Sequence, residues 1–157
     1  YVGDRLGLDG ALIGTLSFAF LAADTMSNLV WGSLGDRFGF RAVYLGALIS
    51  SLVGMLLLVL GEGWLVYASF VFLGFGFSGW MMAAVTLVLE FGEHEDIPMR
   101  LALTTTVEGG VSSVGPILVG LSIAALGYAP LIGAAFASLL ASLALMLWRV
   151  REPRTSA

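Results

Sequence analysis

The stretch Trp31–Val43, WGSLGDRFGFRAV, gathers one aspartate, two arginines and three glycines between two long runs that are almost free of charge. The flanking runs cover about residues 10–34 and 41–61. An α-helix rises about 1.5 Å per residue, so roughly 20 apolar residues cross a hydrocarbon core of about 30 Å. Each run is long enough to span, and the charged knot between them reads as a hairpin at the membrane surface. Composition agrees. Of 157 residues, 59% are hydrophobic and 11% charged, and the mean hydropathy is +0.98. Such a chain lacks the polar residues to cover a water-facing surface. Further apolar segments at about 63–91, 101–126 and 128–148 bring the expected spans to five, separated by GEG, GEHEDIPMR and GYAP and followed by a tail at 149–157. Barrel strands would be about half as long and would alternate apolar with polar residues, which these runs do not. The expected fold class is an all-α membrane protein.

Several functions are excluded at this level. The chain has no cysteine, so it offers neither disulfides nor thiolate ligands. It has no lysine and seven arginines, too few for a nucleic-acid surface. His94 stands alone in an acidic run, so no metal site is expected. Gly74, Gly76 and Gly79 satisfy G-x-G-x-x-G, but they lie inside an apolar span with no preceding strand, so they read as close-packing positions and not as a nucleotide site. No nucleophile, base and orienting group can be assembled, and neither a cofactor nor an enzymatic reaction is expected.

Orientation follows from the arginines. With the 35–41 joint cytoplasmic, Arg37, Arg41, Arg100, Arg149, Arg151 and Arg154 fall inside and only Arg5 outside. Trp64, Tyr67 and Tyr128 then fall near the outer boundary and Trp31, Tyr44 and Trp148 near the inner one, as interfacial belts would. Tyr1 is external in this frame, and one more helix upstream would give six spans with both ends inside.

Residues 32–41, GSLGDRFGFR, resemble the G-x-L-x-D-R-x-G-R-R loop of the major facilitator superfamily. Gly32, Leu34, Asp36, Arg37, Gly39 and Arg41 stand at matching positions, and Phe40 departs where the family carries a basic residue. The resemblance implies five transmembrane helices forming most of one six-helix half. It also implies that the loop (Gly32, Gly35, Asp36, Arg37, Gly39, Arg41) is a conformational latch in which Asp36 meets the positive amino end of another helix, the fourth helix beside Arg100 being one such end. The basic tail favours the carboxyl-terminal half. GPILVG at 115–120 partly resembles a Gly-Pro motif of first-half antiporter helices, and Gly115 and Pro116 are the expected helix bend.

Ionisable residues inside the spans mark the candidate substrate or proton site. Asp24 lies within roughly 3 Å of the centre of the first span, where a carboxylate costs about 2.5–3.5 kcal/mol on insertion scales and ordinarily faces a polar interior. Ser17, Asp24 and Asn28 share one helical face, and Thr104, Glu108, Ser112 and Gly115 share another. Asp24 and Glu108 are expected to border one cavity with no basic partner from this chain. The second and fifth spans lack ionisable residues between Tyr44 and Leu60 and between Leu131 and Trp148, and read as lipid-facing. The function expected from these features is part of a secondary active transporter. It would move a small solute by alternating access, with a proton or cation as coupling partner, and it would need further helices of the same transporter. The alternative is a non-transporting receptor or scaffold of the same fold. The expected location is the cell (inner) membrane with a cytoplasmic carboxyl end.

Overall fold

A computed structural model of the chain describes residues 10–61, 63–90 and 96–150. The expected outer segment before Gly10, Glu62, the acidic run with His94, and Arg151 and Arg154 of the tail lie outside the described residues. Five helices follow one another: α1 (Gly10–Phe38), α2 (Phe40–Leu60), α3 (Trp64–Glu90), α4 (Ile97–Leu126) and α5 (Tyr128–Arg149). All five are long and apolar enough to cross a bilayer. The protein is an all-α membrane fold.

The charged knot is not a loop. Asp36 and Arg37 remain helical, and Gly39 alone separates α1 from α2. Its φ of 84° is open to glycine at little cost, and its N–H donates to the Gly35 carbonyl at 2.9 Å, closing the last turn of α1. Gly35 lies directly under the Phe40 ring, where a Cβ would come within 2.7 Å of a ring carbon. One glycine turns the chain and the other lets the next helix fold back.

The packed core is the triplet α1, α2 and α3. Between apolar helices in lipid, burial supplies no driving force, so close contact and interhelical hydrogen bonds must hold the group together. The three glycines of the false fingerprint provide the contact. Gly74 abuts the main chain of Phe20 on α1, Gly76 abuts Ser51 and the Ala47 carbonyl on α2, and Gly79 abuts the Trp31 indole. Because they face two partners, they seat α3 against both. On α2, Val43, Ala47, Ser50 and Gly54 form the buried stripe, and Leu73 fills the space at Gly54. The Ser50 hydroxyl donates across to the Phe72 carbonyl at 2.8 Å. Such bonds average only about 0.6 kcal/mol in membranes, so the glycine contacts contribute the larger share of the packing.

Two expectations change here. Trp31 is not an interfacial belt residue. It is 4% exposed, its ring lies 4.6 Å from that of Phe75, and its Nε1–H donates to the Phe75 carbonyl at 2.8 Å. Glycines at 46 and 79 leave room for the indole. The second span is likewise not simply lipid-facing. Its outward residues Ile49, Leu56 and Val59 are exposed, but its other face is core. Absence of charge failed to distinguish a helix facing lipid from one facing other helices.

The last two helices are packed far less. Met146 of α5 joins Leu48 and Leu87 in a small cluster toward the end of the bundle that carries the α1–α2 turn. In α4 no residue is buried, and its glycines at 109, 110, 115 and 120 have open space where a side chain would stand.

Candidate functional site

Asp24 is the middle residue of the 29-residue α1 and is half-buried. Its main-chain carbonyl accepts two side-chain bonds, from the Ser27 hydroxyl at 2.9 Å and the Asn28 amide at 2.8 Å. Asn28 is therefore tied to the backbone of Asp24 and not to its carboxylate. Ser17 spends its hydroxyl on the Ile13 carbonyl at 2.9 Å. The polar stripe exists as a face, but its members bond locally. Ser27, one turn further along α1 and fully buried, belongs to the same region, though it lies off the polar stripe that the spacing picks out.

Glu108 is exposed and lines a cleft of about 490 Å³ with Thr104, Tyr44 and Trp80. Neither Asp24 nor Ser112 lines that cleft. Packing does not bring Asp24 and Glu108 together, because α1 lies chiefly on α3 and α2 whereas α4 leans on α5 and α3. A second cavity of about 470 Å³ adjoins the first through Tyr44 and Trp80, and is walled by Phe20, Phe77, Ser51 and Ser142 among others. α4 continues unbroken through Pro116. Proline has no N–H for the carbonyl four residues earlier, so the Ser112 carbonyl loses its helical donor.

At the α1–α2 turn, Arg41 does more than hold the turn. Its guanidinium Nη2 donates to the main-chain carbonyls of Met146 at 3.2 Å and Leu147 at 3.3 Å, the last turn of α5. Both carbonyls lie in the last turn of α5, at the negative end of the helix dipole, where a cation is stabilising. Arg37 lies 5.3 Å from the Phe38 ring centroid, and Asp36 is exposed. Arg100, at the start of α4, pairs with Asp96 at 3.3 Å, an exposed pair of small energetic weight. Gly32 has open space around it, so of the motif glycines only Gly35 and Gly39 are required by local geometry.

The family model of the Major Facilitator Superfamily matches residues 1–157. The chain belongs to that superfamily. No curated protein and no solved structure matches it. Membership makes the chain a transporter-type, integral multi-pass membrane protein, and it implies a small-molecule substrate and a bilayer environment. Residues 35–41 form the one-glycine turn, and Arg41 from that turn grips the end of α5.

Proposed function

We propose that the chain forms most of one six-helix half of a secondary active transporter, moving a small solute by alternating access with a proton or cation coupled through Asp24. The observation that carries this reading is Arg41. By bonding to α5 from the start of α2, it joins residues 105 positions apart and ties the packed α1–α3 group to the end of α5. Rocking of one half against another requires such rigidity. In the same reading Asp36 is the latch toward the opposing half, Gly115 and Pro116 supply the helix bend, and Glu108 and Ser112 contribute to the cavity wall. The chemistry is transport and not catalysis.

Packing supports a sixth helix. α3 sits in the angle between α1 and α2, whereas the angle between α4 and α5 holds no corresponding helix and α4 buries nothing among the described residues. One apolar helix there would complete the symmetry of two three-helix groups.

Uptake into proteoliposomes of the full transporter tests the function. A panel of labelled solutes with and without an imposed pH gradient should reveal gradient-dependent accumulation of at least one. Asp36→Asn should lower the maximal rate while leaving half-saturation nearly unchanged, since it alters switching and not binding. An unaltered maximal rate would remove the latch role, and no accumulation across the panel would favour a receptor or scaffold.

Orientation in the cell membrane has its own test. These 157 residues contain no cysteine, so each single substitution adds the one thiol of this segment. In intact cells an impermeant thiol reagent should modify Trp64→Cys and spare Arg100→Cys until the cells are opened. The reverse pattern would invert the topology.

A further inference from the structure

Four serines are buried among the described residues, and three donate to main-chain carbonyls: Ser27 to Asp24 at 2.9 Å, Ser50 to Phe72 at 2.8 Å and Ser69 to Val66 at 2.7 Å. The fourth, Ser78 on α3, is 3% exposed and its hydroxyl has no partner. A buried hydroxyl without a bond is unfavourable, and a serine in a helix has an easy remedy in the carbonyl one turn back. Ser78 does not take it.

Its position identifies what it faces. α1 and α3 run parallel and their register is fixed at two levels. At the outer one, Gly74 abuts Phe20 and the Phe20 and Phe77 rings lie 5.8 Å apart. At the inner one, Trp31 bonds to Phe75 and covers Gly79. Ser78 is one turn inward of Gly74, on the arc of α3 that meets α1. Asp24 is one turn inward of Phe20, on the arc of α1 that meets α3. The unpartnered hydroxyl and the half-buried carboxyl therefore stand at the same depth across one helix interface.

We propose that Asp24 and Ser78 form a single proton site shared by α1 and α3. A hydroxyl is suited to this place because it donates to an ionised carboxylate and accepts from a protonated one, so it serves both states of a carrier. Glu108 of α4, which leans on α3, lines the cleft with Tyr44 and Trp80 that neither Asp24 nor Ser78 borders. The titratable residues of α3 are Tyr67 near its outer end and Glu90 at its inner end, those of α2 are Arg41 and Tyr44 at its inner end, and those of α1 besides Asp24 are Asp36 and Arg37 at its inner end. Bonding between the two side chains would also join the middle of α1 to the middle of α3. This inference rests on the coupling role proposed for Asp24.

Infrared difference spectra of the purified full-length protein, acidified against neutral, test it without requiring transport. The carboxylic C=O band that Asp24→Asn removes should shift to higher frequency in Ser78→Ala, because a carboxyl group relieved of a hydrogen bond has a stiffer C=O. Ser78→Thr, which keeps the hydroxyl, should leave the band near its original place. A serine needed only for packing would change melting temperature and leave the band unmoved. An unmoved band in Ser78→Ala, or no band removed by Asp24→Asn, would overturn the shared site. A shifted band combined with normal gradient-driven uptake in Asp24→Asn would retain the site and reject its coupling role.

Discussion

Gly74→Val should leave little folded protein, and what can be purified in detergent should melt well below the parent. The space a Cβ would occupy at Gly74 is held by the main chain of Phe20, which cannot rotate away as a side-chain tip could. To admit valine, α1 and α3 must separate. Overpacking a close-fitted core costs about 1–3 kcal/mol when side chains can adjust, and a rigid obstacle places this variant at the upper end or beyond. For a chain of this size about 3 kcal/mol corresponds to a fall of roughly 6–12 °C in melting temperature. Gly32→Val is the control. It makes the same exchange in a helix at a glycine with no atom within 4 Å of its added Cβ, so intrinsic helix propensity cancels between the two. Equal melting of the two variants would mean that α1 and α3 do not meet through Gly74.

That contact also shows what a sequence conveys in a membrane protein. Five spans were legible because length and apolarity are properties of each segment alone, and Asp24 stood out because a carboxylate at a helix centre is costly wherever its neighbours are. The packing was not legible by the same means. A tryptophan buried between helices and one at the lipid interface occupy similar places in a span, so position alone puts Trp31 in a belt although glycines at 46 and 79 make room for it between helices. An arginine bonding a distant helix end has the same sequence signature as one held in the cytoplasm by charge, and the reach of Arg41 to Met146 became visible only in three dimensions. The hairpin contracted to one non-helical residue because the positive φ of Gly39 can end a helix and aim the next in a single step. Ser78 was silent for a different reason. A serine in an apolar helix ordinarily satisfies itself on its own backbone, and its failure to do so depends on geometry that no spacing encodes.

Asp24→Asn is expected to abolish accumulation driven by a pH gradient while leaving downhill exchange of the same solute measurable. The carboxyl group lies at the midpoint of α1, half-buried, beside a backbone carbonyl already occupied by Ser27 and Asn28, and no basic residue of the described spans stands at its depth. Burying it unpaired is costly enough that a structural role alone would be better filled by an amide, which makes similar hydrogen bonds without a charge to desolvate. Asparagine keeps the size and shape but cannot bind or release a proton. If one proton moves per solute, a gradient of one pH unit supports up to about tenfold accumulation, and the variant should fall to equal concentrations on both sides. A direct contact with the solute would give another result, since exchange and accumulation would decline together. A packing role would give a third, normal accumulation by well-folded protein, and that outcome would refute coupling through Asp24. Measuring exchange and accumulation on the same preparation, with its folded fraction determined by melting, separates these three roles.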